Sequence, residues 1–379
     1  MKAEGVLIDD RDALAALVDR WDELAVTVGA PTCAPAWMLG WYERLCPDAE
    51  CASVALYVDD ELVGLAPLVL DRGNGRADVR LMAAGLLQRI APIALPGYGH
   101  ALAAETGRLI GTLRPRPDVV ALEGVSVAAR WPAMLRAALR AGAPSRQHRT
   151  SVQAAPVATL AGHTFDSWMA TRSANFRSEM RRARKRLERQ NGRVRVVTGE
   201  AADFDDVVAA LGRLHRGRWT PVGHPGVIDD RVEELIADVA RRQAGSARLR
   251  LMVVELDGAP VSAQVFLAAG GEVNYWNGGW DEEHRDLKPG MLGILAAIED
   301  SIERGERRLD LGGGAQPYKL RFADGDDPIE WAVLTPIRLR YPLTRAEVLR
   351  QQVRWRARTA LHRLPPEHQA RIRSILRRG

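Results

Sequence analysis

The sequence predicts a mixed α/β protein, an α+β arrangement with mixed sheets, built as two similar domains followed by a basic helical tail. Three observations predict it. Amphipathic helical runs alternate with short apolar strand-like runs along the chain. An apolar hairpin with an acidic turn recurs in each half, 52–58 with 62–70 around Asp59-Asp60-Glu61, and 248–255 with 260–268 around Asp257-Gly258. A length of 379 residues exceeds what one hydrophobic core usually organises.

Residues 12–28 carry Leu14, Leu17, Val18, Trp21, Leu24 and Ala25 at helical spacing, and Pro31 follows their end. A second helix is expected over 35–45. The hairpin comes next, and Pro67 in its second run argues for an edge or a bulge because proline cannot donate to a ladder. Short strands are expected at 79–82, 93–95 and 119–124, with helices at 103–113 and 128–140. The stretch 142–163 is richer in small and polar residues and is read as the junction, which gives domains 1–155 and 156–337 and a tail 338–379.

In the second half, 165–190 reads as a helix pair stopped by Asn191-Gly192, 194–197 as a strand, and 204–219 as a helix with Phe204, Val207, Val208, Leu211 and Leu214 on one face. After the second hairpin, 272–277 adds a strand. A helix opens at Lys288-Pro-Gly and runs to about Arg304, its proline near the first turn where the missing N–H costs least. Residues 307–311 form the strand that feeds Gly312, Gly313 and Gly314. Such glycines adopt backbone conformations closed to other residues and let a ligand approach the main chain. Tyr318 and Lys319 follow at that opening.

Composition narrows the function classes. No apolar run approaches the roughly 20 residues of a spanning helix, and the first ten residues lack the basic and apolar succession of a secretory signal, so a cytoplasmic protein is expected. Cys33, Cys46 and Cys51 are too few and too irregularly spaced for a disulfide framework or a zinc site. No metal is expected at His215 either, since no acid or cysteine stands at ligand spacing. The formal charge of +5 is unevenly placed. Between Arg338 and Arg378 stand twelve arginines and two glutamates, a net +10. A second basic cluster, with Arg177, Arg181 and Lys185, occupies the helix expected after 174. Both fields suit an anionic partner.

Five segments in order resemble the CelD/BcsL family of GNAT-type acyltransferases: Ala34-Pro-Ala-Trp-Met-Leu-Gly-Trp-Tyr-Glu-Arg44, the basic run 175–188, Leu214-His-Arg-Gly-Arg-Trp219, Lys288-Pro-Gly-Met-Leu-Gly293 and Asp310-Leu-Gly-Gly-Gly-Ala-Gln-Pro-Tyr-Lys319. That family is similar to the Fem-type aminoacyl transferases, which pair two GNAT folds. The resemblance implies tandem GNAT-like domains that move an acyl group from acyl-CoA, as acetyl-CoA, to an amine or hydroxyl of a small-molecule or glycan acceptor. The Phe/Tyr-Lys pair of the Fem family falls on Tyr318-Lys319. One departure is that the usual Gln/Arg-x-x-Gly-x-Gly/Ala pyrophosphate loop is replaced by 287–293, with altered glycine spacing and a proline.

Within this frame Lys319 is expected to steady the oxyanion or grip a phosphate, or to be a solvated lysine. Tyr318 protonates the leaving group or packs. Asp310 is a general base or satisfies N–H groups around the glycine turn. Lys288, Gly290 and Gly293 at the helix start suit a phosphate, with Gln264, Gly313 and Gly314 as further donor contacts. Alternation sends Tyr275 and Trp276 to opposite faces, so one of them lines the acceptor side. The resemblance adds Arg218 and Trp219 there, with a helix cap as the plain alternative. The basic helix and tail leave two further functions open: an aminoacyl-tRNA-dependent, peptide-bond-forming transferase, or a catalytically degenerate, membrane-peripheral scaffold in polysaccharide biosynthesis.

Overall fold

The computed structural model describes residues 3–73, 75–139, 144–220 and 226–362, with side chains to 357. The strands of these residues form three sheets. The first, antiparallel, orders Glu4–Ile8, Ser53–Val58, Glu61–Ala66 and Ile93–Ala94. The second orders Glu50–Cys51, Leu68–Asp71, Asp78–Leu81, Val119–Ser126, Ile329–Pro336 and Ser145–Gln153. The third, in the second half, orders Gly192–Val197, Leu249–Leu256, Ala259–Ala269, Glu272–Trp280, Arg308–Asp310, Pro156–Thr159 and Gly325–Asp326.

Local chemistry explains the hairpins. Asp59 and Asp60 have φ of 48° and 67°, and Asp257 and Gly258 have 47° and 84°. Two consecutive positive-φ residues match the twist of the flanking strands, and Asp and Gly tolerate that region. Pro67 splits the run 62–70, so that Glu61–Ala66 stays in the first sheet while Leu68–Asp71 joins the second. The run 12–28 also divides, into Arg11–Ala15 and Val18–Thr27. Helices Pro35–Leu45 and Phe204–Trp219 occupy the expected spans.

Six strands escape the sequence pattern, namely Glu4–Ile8, Glu50–Cys51, Ser145–Gln153, Pro156–Thr159, Gly325–Asp326 and Ile329–Pro336, and two of them change the domain reading. Ser145–Gln153 is an edge strand whose residues are mostly polar, so no alternation marks it. Ile329–Pro336 is interior, paired antiparallel to Val119–Ser126 on one side and to Ser145–Gln153 on the other. The sequence assigns 329–336 to the second domain, yet the segment pairs in the sheet of the first half. The chain leaves that sheet at Gln153, builds the third, and returns to it at Ile329. The proposed junction, 142–163, therefore contains strands, with residues 140–143 outside the described set.

The halves share one continuous apolar core, which runs from Trp37, Met38 and Leu56 to Leu235, Leu251 and Val265. Close approach depends on glycine at two points. A Cβ on Gly279 would lie 2.3 Å from His215 N, where helix Phe204–Trp219 meets the third sheet, and one on Gly40 would lie 2.6 Å from Leu235 Cδ1. At the seam the Trp37 and Trp276 rings stand 5.3 Å apart, and Trp276 Nε1 donates to Leu86 O at 3.0 Å. The tail is helical over Tyr341–His362 and buries Thr344 and Val348. Gln352 Nε2 donates to Arg149 O at 2.8 Å, fastening this helix to the Ser145–Gln153 edge. The tail beyond 362 lies outside the described residues.

Candidate active site

The site begins where two strands part. Glu272–Trp280 and Arg308–Asp310 run parallel and pair at Glu272 with Arg308, Val273 with Leu309, and Asn274 with Asp310, and no further. Immediately beyond, the pairing of Glu272–Trp280 with Ala259–Ala269 shifts register between Val265 and Phe266, opposite Trp276. The bulge bends the strand at the point where its neighbour turns away, which opens a gap in the sheet. Tyr275 faces the opening and packs 5.2 Å from the Phe266 ring, while Trp276 is turned into the seam with the first half.

A cleft of about 230 Å³ lies over this gap. Tyr275, Tyr318, Gln264 and Trp280 form its floor and wall, and Arg218, Arg285 and Lys288 give it a cationic side at the start of helix Pro289–Glu303. The Arg218 guanidinium lies 5.4 Å from the Trp280 ring and 5.8 Å from the Trp219 ring. Among the described residues neither Arg218 nor Arg285 has a carboxylate partner. Lys288 adopts the left-handed conformation, φ 54°, and its ammonium pairs with Glu179 of the basic helix Ala174–Arg189. Arg321 reaches the same carboxylate at 2.5 Å. The Arg321 hydrogen bond, with that from Lys288, holds Glu179 down to a pKa of about 2.

The helix start leaves few N–H groups free. Pro289 has no N–H, and the N–H groups of Met291 and Leu292 turn back to Lys288 O, at 2.9 and 3.1 Å. Gly290 alone of that turn presents an N–H with no partner among the described residues. Gln264 Nε2 donates to Gly290 O at 2.7 Å and so fixes the turn. Gly293 is there to admit it, since a Cβ would stand 1.8 Å from Gln264 Oε1.

The glycine segment is organised differently from the sequence expectation. Gly312 and Gly314 have φ of 74° and 100°. Gly313 N donates to Gln88 Oε1 at 2.8 Å and Gly314 N to Ala154 O at 2.7 Å, so both N–H groups are spent on the first half and not on a donor. Asp310 accepts from Gly312 N at 2.6 Å and pairs with Arg89 through its other oxygen. Burial raises the Asp310 pKa and Arg89 opposes it. This carboxylate holds the turn and the seam between halves, and it does not line the cleft, which leaves it no substrate to deprotonate there. Lys319 is buried, and its ammonium donates to the carbonyls of Gly312 and Gly313 at 3.2 and 2.9 Å. Burial lowers its pKa to about 8. Its charge thus braces the glycine turn below the cleft, 6.0 Å from the Tyr275 ring.

Tyr318 enters the cleft from the short helix Pro317–Leu320. Burial raises the pKa of Tyr318 and of Tyr275, with Arg218 opposing in both cases. Both phenols are therefore protonated at neutral pH. Of the acceptor-side residues expected from sequence, Tyr275 and Arg218 line the cleft; Trp276 lies in the seam, and Trp219 lies tilted against His215, ring centres 6.1 Å apart. His215 Nε2 accepts from Val227 N at 3.0 Å, so its Nδ1 is the donor to Gly278 O at 3.2 Å, a chain anchor. On the basic helix, Arg177 is committed to the carbonyls of Ala170 and Arg172, while Arg181 and Lys185 are exposed and away from the cleft.

Sequence reasoning misses Trp280, Arg285 and Met291 in the cleft, and Gln88 and Arg89 beneath it. Arg285 had a signal, three residues before Lys288 at the same helix entrance. Gln88 and Arg89 had none, because they reach the site from the other half through tertiary packing.

Residues 174–320, which include every residue lining the cleft, match the acetyltransferase (GNAT) domain family, and the protein is an acyltransferase. The whole chain is similar in fold to FemX, at 13% identity and TM-score 0.62 over 91% of this chain and 100% of that one. It is likewise similar to L-PGS from Bacillus licheniformis, at 11% identity and TM-score 0.54 over 90% and 97%. No protein of curated function matches it by sequence.

Proposed function

We propose that this chain is an acyl-CoA-dependent acyltransferase of the CelD/BcsL kind, which moves an acyl group, as from acetyl-CoA, to an amine or hydroxyl acceptor. The observation that carries the reading is the cationic side of the cleft. Arg218 and Arg285, without carboxylate partners among the described residues, stand with the Gly290 N–H at a helix N-terminus, where a pyrophosphate is held by charge and dipole together. Side-chain cations here take over much of what a run of loop N–H groups does elsewhere, which fits the altered glycine spacing.

The chemistry then follows from the two protonated phenols. The acceptor nitrogen or oxygen attacks the thioester carbonyl carbon, and the developing oxyanion is met by a phenol hydroxyl of the cleft. The C–S bond breaks as Tyr318 gives its proton to the leaving sulfur. The proton shed by the acceptor returns to the phenolate through solvent. Lys319 acts as a positioning residue, holding Gly312 and Gly313 so that Tyr318 projects into the cleft.

The expected test result is a rise in the melting temperature of the full chain with acetyl-CoA, since a ligand that binds only the folded state stabilises it by mass action. Arg218→Ala with Arg285→Ala should abolish that rise at the same acetyl-CoA concentration while the unliganded melting temperature stays put. No rise in the wild type, together with a low-salt gel shift by aminoacyl-tRNA, would sink the thioester and favour the peptide-bond-forming alternative.

The tail supports a peripheral membrane location as a second element of this reading. Leu339, Leu343 and Val353 are 98%, 76% and 56% exposed, with Arg350 exposed on the same tail helix, a surface suited to anionic lipid. No helix among the described residues is long and apolar enough to cross a membrane.

A further inference from the structure

A groove of about 910 Å³ opens on the first-half side of the glycine segment. One wall is the sheet edge at Thr150 to Gln153 with Trp331 beside it; the other is the tail helix at Gln351, Arg354 and Trp355. Its inner end is Gly314 to Gln316, immediately ahead of Tyr318. The donor cleft and the groove thus share one short segment of the chain, the cleft at Tyr318 and the groove at Gly314 to Gln316.

The groove is polar in a particular way. Its lining contains no carboxylate and a single cation, Arg354. Ser151, Gln153, Gln316 and Gln351 put a hydroxyl and three amides on its walls, each able both to donate and to accept. Among the described residues, no side-chain hydrogen bond engages these four, Arg354, or the indole N–H groups of Trp331 and Trp355. Both tryptophans are half-buried, so each offers part of a flat apolar face as well as a donor. The strand at Ser145–Gln153 is a sheet edge, which adds main-chain groups to the same wall.

We propose that this groove is the acceptor site and that the acceptor is a saccharide. The inference rests on the acyl-transfer reading above. A sugar ring presents a C–H face that stacks on an indole and a rim of hydroxyls that both donate and accept, which is the complement of two indoles bordered by amides and a hydroxyl. A single-stranded nucleic acid would need a row of cations along its phosphates, and the lining has one. A sugar bound against Gly314 to Gln316 sits at the segment that carries Tyr318 into the donor cleft, which makes this groove the cavity placed to seat the acceptor. The tail helix is then part of the active site: its docked face, with Gln352 fixed to Arg149 O, completes the groove.

The test is calorimetric titration of the full chain with maltotetraose, cellotetraose and chitotetraose, with a twelve-nucleotide single-stranded RNA as a separate arm. Saturable binding of at least one tetrasaccharide is expected. Trp355→Ala and Gln351→Ala, both on the surface helix, should each weaken it by about tenfold and leave the acetyl-CoA shift in melting temperature unchanged. Three outcomes overturn the proposal: no binding of any tetrasaccharide by a chain that acetyl-CoA still stabilises, binding of equal strength in both variants, or saturable binding of the RNA alone. Loss of the acetyl-CoA shift in the wild type is the separate failure of the acyl-CoA reading, so the two are told apart.

Discussion

Gly293→Ala tests how the donor cleft is built. In the folded chain a Cβ at 293 would stand 1.8 Å from Gln264 Oε1 and 2.9 Å from its Cδ, where ordinary contact begins at 3.4 Å. The amide must therefore retreat by 3.4 − 1.8, about 1.6 Å. Gln264 is 3% exposed and tied by Nε2 to Gly290 O at 2.7 Å, so a movement of that size breaks the bond. Overpacking a filled site costs about 1–3 kcal/mol, and leaving a buried amide unpaired adds about 1–3 kcal/mol. Discounting for partial relaxation, a loss of about 2–4 kcal/mol is expected in guanidinium unfolding, with acetyl-CoA affinity falling because the Gly290 turn is released. Gln264→Ala in the same chain removes the atom that clashes. The pair Gly293→Ala/Gln264→Ala should then be more stable than Gly293→Ala alone, with a coupling of about 1–3 kcal/mol. If the pair is no more stable than the single variant, or Gly293→Ala lies within about 0.5 kcal/mol of wild type, the contact between that glycine and that amide does not shape the cleft.

Two further expectations concern charge. The Glu179 pKa is depressed from 4.5 to about 2, so the stability it contributes is full above pH 4.5 and is lost as pH falls toward 2. Glu179→Gln should lower stability at pH 7 by about 1–3 kcal/mol and flatten the acid limb of the stability curve between those pH values; an unchanged acid limb would exclude the Lys288–Glu179–Arg321 link as its source. Lys319 titrates near 8 in the folded chain against an ordinary 10.5, so the unfolded chain binds more protons between those values and wild-type stability rises with pH there. Lys319→Met should erase that rise, as read by denaturation at pH 7.5 and pH 10. The same slope in both chains would show that the ammonium does not carry the burial assigned to it.

How much of this was legible in the sequence depends on whether the signal was local. The hairpin turns declare themselves, because only residues tolerant of positive φ serve a two-residue turn, and Asp59-Asp60 and Asp257-Gly258 are such pairs. The helix at Pro289 and the alternation that separates Tyr275 from Trp276 are equally local. Ser145–Gln153 was not legible, since a polar edge strand needs no apolar alternation. Nor was Ile329–Pro336, whose place between two strands of the first half is set by a return of the chain across the whole second half.

The sequence by itself determined the class of fold and the helix start with its cationic neighbour, and it marked the segment from Asp310 to Lys319 as a candidate site, of which Tyr318 alone lines the cleft. It also concentrated twelve arginines in the tail. Only the tertiary structure decided what each group in that segment does. Residue types fix what a side chain can do, whereas partners and burial fix what it does, and these partners come from far along the chain. Gln88, Arg89 and Ala154 claim Gly313, Asp310 and Gly314. Lys319 is spent on two carbonyls, leaving Tyr318 and Arg218 to line the cleft.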